Sequence, residues 1–263
     1  MIQFSRRPGL VVYLTCGDPN LETTREVALA AIDAGVDVLE LGVPFSDPIA
    51  DGPVIQRASE RALARGTTLE QVLELGGELR RQRPHAGLII FSYLNPILKL
   101  GLEKFCGAAK NAGLDGALVT DLTVEEAGEY LRLMRAHKLA TVFLAAPTST
   151  DARLRHIAEA SRGFVYAVSR TGVTGAQQQL AGDAKLLVAR LRRFTQLPIA
   201  VGFGISTPHQ FHEAGKFADA AVVGSAIVKV IEDRAAQGDA APAVGEFIGA
   251  LKATPASAKS AQR

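Results

Sequence analysis

The stretch Pro198–Arg234, PIAVGFGISTPHQFHEAGKFADAAVVGSAIVKVIEDR, reads as two β/α units in succession. Ile199 to Gly202 and Ala220 to Val223 are short apolar runs closed by glycine, and each is followed by a segment with helix-start residues. Short β-rich runs alternating with helical patterns are the signature of parallel strands joined by crossover helices. Working back toward the N-terminus, the same unit recurs with strands expected at Leu10–Thr15, Val36–Leu41, Leu88–Tyr93, Gly116–Thr120, Thr141–Ala145 and Phe164–Val168. Amphipathic segments lie between them at 21–34, 69–83, 102–112, 125–137, 151–160 and 185–194, with apolar residues at helical spacing. Asn20 is the expected N-cap of the first helix and Gly35 its C′ residue.

Eight such units close on themselves without leaving a sheet edge, and 263 residues match the roughly 250 of a single closed barrel. The expected architecture is therefore α/β, a (β/α)8 TIM barrel in one domain over residues 1–252. The tail 253–263, ATPASAKSAQR, has no hydrophobic periodicity and should be disordered. Composition narrows the function. The 29 basic and 27 acidic residues are scattered and leave a formal charge of +2, so no field of one sign is available for nucleic acid or an anionic membrane. Cys16 and Cys106 form no CxxC pair, and five dispersed histidines lack zinc-site spacing. Both thiols are expected as small buried hydrophobes. No stretch has the length of a membrane span and the N-terminus lacks the apolar run of a signal peptide, which makes cytoplasmic the expected location.

In barrels of this type the chemistry gathers where strands end at their C-terminal side. In Val36-Asp37-Val38-Leu39-Glu40-Leu41-Gly42, alternation puts Glu40 on the face of Val38, opposite Leu39 and Leu41. If the leucines meet the helices, Glu40 points into the barrel mouth, where burial would raise its pKa toward a range useful for proton transfer. A structural glutamate paired with lysine or arginine is the other reading of the same spacing. The loop that follows, GVPFSDPIADGP, carries Asp47 as a turn residue and then Asp51. Asp51 either caps the helix starting near Pro53 or works with Glu40 as an acid and base pair across one substrate.

Across the mouth, Gly202-Phe203-Gly204-Ile205-Ser206 with Thr207-Pro208, and Gly224-Ser225, supply glycine turns at helix N-termini after the seventh and eighth strands. This is where barrel phosphate sites form, on backbone amides and the positive end of the helix. After the sixth strand, the glycine-hinged polar stretch 169–179 reads as a lid that would bring Thr174 and Gly175 toward a bound phosphate.

These segments together resemble the α subunits of tryptophan synthase, along nearly the whole chain. LELGVPFSDPIADGPVIQ from Leu39 to Gln56, SRTGVTGA from Ser169, GFGIS from Gly202 and GSAIVK from Gly224 match the family's motifs, as do TCGDP from Thr15, NPIL from Asn95 and TDLTVEE from Thr120. The resemblance implies a lyase that reversibly cleaves indole-3-glycerol phosphate by a retro-aldol reaction, giving indole and glyceraldehyde 3-phosphate in tryptophan biosynthesis. It gives Glu40 and Asp51 the catalytic roles, the first protonating indole C3 and the second stabilising or accepting the indole N–H proton. It puts the substrate phosphate on Gly175, Gly204, Gly224 and Ser225, and the indole among Tyr13, Phe91, Leu118, Tyr166 and Phe203, although plain core packing is an equal reading of Phe91. Arg170 and Thr174 fall in the lid. It further implies no metal and no cofactor on this chain, with pyridoxal phosphate confined to a β-subunit partner in an α2β2 heterotetramer. The alternatives are a free-standing lyase that releases indole, and a non-catalytic barrel that only activates a partner. The sequence departs from the family at Tyr13, commonly phenylalanine, and at Thr123, commonly proline. An amphipathic helix ahead of the first strand is also usual, whereas nine residues precede Leu10 here, which leaves closure of the barrel bottom an open question.

Overall fold

The computed structural model describes residues 2–168, 177–202 and 204–253, with backbone alone for 177–181. The expected lid with Arg170 and Thr174, the phosphate ligand Gly175, the indole neighbour Phe203 and the tail from 254 lie outside the described residues.

The chain runs β1 (Gly9–Thr15), α1 (Leu21–Asp33), β2 (Val38–Gly42), α2 (Pro53–Ala64), α3 (Leu69–Gln82), β3 (Gly87–Ser92), α4 (Leu94–Leu100), α5 (Leu102–Asn111), β4 (Gly116–Val119), α6 (Gly128–Ala136), β5 (Ala140–Val142) and β6 (Leu144–Ala145). It continues through α7 (Asp151–Ala160), β7 (Val165–Val168), α8 (Gln177–Leu191), β8 (Ile199–Gly202), α9 (Pro208–Gly215), β9 (Ala220–Val223), α10 (Ser225–Arg234) and α11 (Ala240–Lys252). All pairings are parallel, in the order β5-β4-β3-β2-β1-β9-β8-β7-β6. The expected fifth strand, Thr141–Ala145, is thus two pieces broken at Phe143. The sheet still closes there, because Thr141 O accepts from Arg162 N at 2.7 Å and Phe143 O from Tyr166 N at 3.1 Å. The result is a (β/α)8 barrel.

Period-two alternation along each strand sorts side chains between two cores. Val11, Val38, Ile89, Leu118, Val142, Phe164, Ala200, Ala220 and Val222 fill the barrel interior. Their neighbours in sequence, such as Leu10, Val12, Leu39, Leu41, Leu88 and Ile90, pack outward against the helices. The bottom of the barrel is closed by Ile2 and Phe4. Both join the interior cluster, and the Phe4 ring meets Phe164 edge-on at 5.9 Å.

The second strand begins two residues later than expected, at Val38, because Asp37 serves the sheet differently. Its carboxylate accepts from the amides of Leu10 at 2.8 Å and Ser5 at 3.0 Å, tying the start of β1 to the start of β2. Asp115 does the same for Leu88 N at 2.9 Å, and Asp219 for Ile199 N at 2.8 Å. Asn20 caps α1 by accepting from Thr23 N at 2.8 Å, and Gly35 follows with φ +86°, as the sequence implied. The helix expected at 185–194 runs instead from Gln177 to Leu191. Two helices were not legible. Helix α4 is short and holds Pro96, and α11 contains Pro242, Gly245 and Gly249, which blur its period. Cys16 and Cys106 are both free and buried. No helix among the described residues is long and apolar enough to cross a membrane.

Candidate active site

Tyr13 on β1 and Glu40 on β2 are register partners, side by side on the inner face, one layer above Val11 and Val38. Glu40 is 1% exposed, and among the described residues neither of its carboxylate oxygens has a hydrogen-bond partner. The reading of Glu40 as half of a structural ion pair is therefore not what the structure contains. Burial pushes its carboxyl up to about 8, since the charged form has lost water and gained nothing in exchange.

Asp51 approaches the same space from the loop after β2. It does not cap α2: that position belongs to Gly52, with no side-chain cap hydrogen bond and Pro53 opening the helix. Its carboxylate instead accepts from the hydroxyl of Tyr93 at 3.0 Å, while that hydroxyl accepts from the Ala50 amide at 2.9 Å. The loop is held further by Gln56, which donates to Asp51 O at 2.8 Å, and by Phe45 stacked on Tyr93 with ring centroids 5.0 Å apart. Burial raises Asp51 to about 6, and the Tyr93 hydrogen bond holds it from rising further. Tyr93 is the functional residue that sequence reading missed. It lies just past the C-terminal end of β3, on the face where barrel chemistry gathers, and that position was the available signal.

Two buried tyrosines lie close enough to feel the charge of both carboxylates. Tyr166 is raised first by burial, then by the charges of Glu40 and Asp51. Tyr13 is raised first by burial and then by Asp51, with a smaller contribution from Glu40. Each ring lies over a glycine that has no room for a side chain. A Cβ on Gly42 would stand 2.5 Å from Cε2 and Cζ of Tyr13, and one on Gly202 2.5 Å from the Tyr166 hydroxyl. The extra hydroxyl of Tyr13 accepts from Thr15 Oγ1 at 3.3 Å. Phe91 meets Tyr13 edge-on at 4.9 Å, and Leu118, fully buried, is the register partner of Phe91 on β4. Aromatic side chains thus surround the two carboxylates, a setting that suits a flat ring carrying a polar edge.

The glycine turns divide their work. At α9, Thr207 accepts from Gln210 N at 3.3 Å, and the Gln210 side chain accepts from the amides of Ser206 and Thr207 at 2.9 and 3.2 Å. Those two amides are spoken for, contrary to the expectation that this cap leaves N–H groups free. At α10 no side chain caps the first turn, and Gly224 and Ser225 lead directly into the helix. Of these two N-termini, this is the one whose amides and partial positive charge are available to an anion. Gly224 lies against Tyr13, with 3.4 Å between its would-be Cβ and Tyr13 Cβ, so the turn adjoins the carboxylate cavity. Gly204 has φ +77°, a left-handed conformation that favours glycine.

Comparison with known proteins agrees with this architecture. The family model for the tryptophan synthase alpha chain matches residues 2–253. A tryptophan synthase alpha chain of Solibacter usitatus is 52% identical over 87% of this chain and 85% of its own. The crystal structure of tryptophan synthase subunit alpha from Legionella pneumophila superposes with a TM-score of 0.85 at 35% identity, covering 93% of this chain and 91% of that one. A structure of Mycobacterium tuberculosis tryptophan synthase gives the same TM-score, identity and coverage. With the family model spanning almost its whole length and a curated relative 52% identical over 87% of it, the chain belongs to the tryptophan synthase alpha chain family.

Proposed function

We propose that this chain is the lyase that cleaves indole-3-glycerol phosphate into indole and glyceraldehyde 3-phosphate. The observation that carries the reading is Glu40, a buried carboxyl without a hydrogen-bond partner among the described residues, on the inner face of the barrel at the end where Asp51 also lies. Near pH 7 a carboxyl with a pKa of about 8 is largely protonated, and one near 6 largely ionised. Two carboxyls with pKa values pushed apart by their surroundings are suited to acid and base roles. Glu40 donates its proton to C3 of the indole, making that carbon tetrahedral. Asp51, as a carboxylate, stabilises the positive charge that develops on the ring N–H. The carboxylate left on Glu40 then takes the side-chain hydroxyl proton as the carbon–carbon bond breaks, so indole and aldehyde leave and Glu40 ends protonated. The electron pair of the broken bond returns to the ring, and no further electron sink is required.

The substrate phosphate is assigned to the amides of Gly224 and Ser225, with Gly204 and Gly175, and the indole to the space among Tyr13, Phe91, Leu118, Tyr166 and Phe203. We assign no cofactor to this chain. Family membership implies a β subunit as partner, and we place the pyridoxal phosphate there, in an α2β2 assembly that receives the indole. A barrel that only activates its partner would have no use for an unpaired buried acid, which is costly to keep. The test is indole formation from indole-3-glycerol phosphate. Glu40→Gln should lower the rate by roughly 10²- to 10⁴-fold, the usual contribution of a positioned acid or base, while glycerol 3-phosphate still binds. Unchanged turnover in that variant would overturn the proton-transfer role.

A further inference from the structure

The helix that follows Asp51 and the helix that opens the anion turn are joined by a bridge of charges outside the cavity. Arg61, on the third turn of α2, places its guanidinium on Asp18 in a two-pronged pair, Nε to Oδ1 at 2.7 Å and Nη2 to Oδ2 at 2.8 Å. Asp18 is only 3% exposed and lies in the turn between β1 and α1. The third nitrogen of the same guanidinium, Nη1, donates to Glu232 Oε1 on α10 at 3.0 Å. Glu232 also accepts from both Nε and Nη2 of Arg57, one turn earlier on α2, each at 3.2 Å, and from Lys229 at 3.1 Å. On the inner side of the same seam, Ala58 of α2 and Val228 of α10 close over Tyr13, with Val54 and Ile55 packed alongside. Helices α2 and α10 therefore meet through an apolar strip facing the cavity and an ionic strip behind it.

The two helices have different tasks at their N-termini. Asp51 is two residues before Pro53, where α2 begins, and Gly224 immediately precedes α10. The distance between the indole end and the phosphate end of the site is therefore fixed by how these helices lie on each other. We propose that Arg61 is a positioning residue, whose planar fork locks α2 to α10 and to the β1 turn and so sets the span between Asp51 and the Gly224–Ser225 anion turn. This rests on the reading above that those groups hold opposite ends of one substrate. Lysine is no substitute, because an ammonium cannot hold two carboxylates in a fixed plane. A misplacement of about 1 Å in the reacting geometry is enough to cost up to 10²-fold in rate.

The test separates span from stability. Calorimetry on the full chain measures binding of glycerol 3-phosphate, of indole, and of indole-3-propanol phosphate, a non-cleavable ligand that spans both ends. Arg61→Met and Arg61→Lys should bind each fragment within about twofold of the parent protein, yet bind the spanning ligand roughly tenfold more weakly. Their kcat/KM should fall roughly 10- to 100-fold. If Arg61→Met fails to fold by circular dichroism, Glu232→Gln, which leaves the Asp18–Arg61 pair in place, should show the same selective loss. Parallel loss for fragments and spanning ligand, full affinity for all three, or complete rescue by lysine would each overturn the proposal. Because binding is read without turnover, a parent protein that binds the spanning ligand but does not cleave the substrate would sink the reaction assigned above and leave this test intact.

Discussion

At the level of single residues, the site is an arrangement of two carboxyls that have lost different amounts of water. Glu40 was legible because strand alternation is strict: once Leu39 and Leu41 face the helices, the residue between them must face inward. What spacing could not decide was whether a cation accompanied it, since ion pairs form between residues distant in sequence. Among the described residues neither oxygen has a hydrogen-bond partner, and stability depends on pH accordingly. A carboxyl near 4.5 when unfolded and about 8 when folded leaves the native state holding more protons between those values. Stability contributed by the protonated form is then present at low pH and lost as pH rises through that window. Glu40→Gln, which cannot ionise, should therefore unfold at higher urea than the parent protein, with the gap widening from pH 5 to pH 8. A gap that stays constant with pH would show that Glu40 titrates normally. Asp51 depends on a residue that no motif marked. Tyr93→Phe removes the one hydroxyl that holds this carboxyl down, so its pKa should rise above about 6. The acidic limb of the kcat/KM profile should move to higher pH, with a several-fold loss at pH 6 and less at pH 8.

At the level of elements, strand positions came through in the sequence because parallel strands buried on both faces are continuous apolar runs, and all eight were read within a few residues. Their starts were less legible. Asp37 looked like part of the second strand, yet its carboxylate is spent on the amides of Ser5 and Leu10, a contact between residues about thirty positions apart that periodicity does not encode. The break at Phe143 has the same origin: a five-residue apolar run looks continuous, and only the barrel's closure decides where its pairing changes from β4 to β7. The Asp37 contact is testable on its own. Asp37→Ala leaves the Leu10 amide without its acceptor at the foot of β1, and the loss of a partner for a buried donor costs about 1–3 kcal/mol. Urea denaturation should show that loss. The rate of indole formation by the folded variant should change little, because the contact is at the opposite end of the strands from Glu40 and the anion turn.

For the whole molecule, the two ends of the barrel carry separate burdens, as the fold predicts: chemistry where the strands end, stability where they begin. The seal at the lower end is local. Ile2 and Phe4 enter the interior cluster directly, with Phe4 edge-on to Phe164, and the glycines around them are shaped to receive them. A Cβ on Gly163 would stand 2.8 Å from Ile2 Cδ1, and one on Gly9 would overlap the Phe4 ring. Two side chains so placed cover the lowest interior layer. Ile2 is 6% exposed, so Ile2→Ala should cost about 2–4 kcal/mol, in the range found for truncating a buried aliphatic side chain. Phe164 also begins the run that leads, two residues on, to Tyr166 in the active cavity. If the barrel transmits little along that strand, Ile2→Ala will lower the urea midpoint while kcat and KM at 25 °C stay within about twofold of the parent protein. A loss of activity in step with the loss of stability would show instead that the seal at the bottom sets the geometry at the mouth.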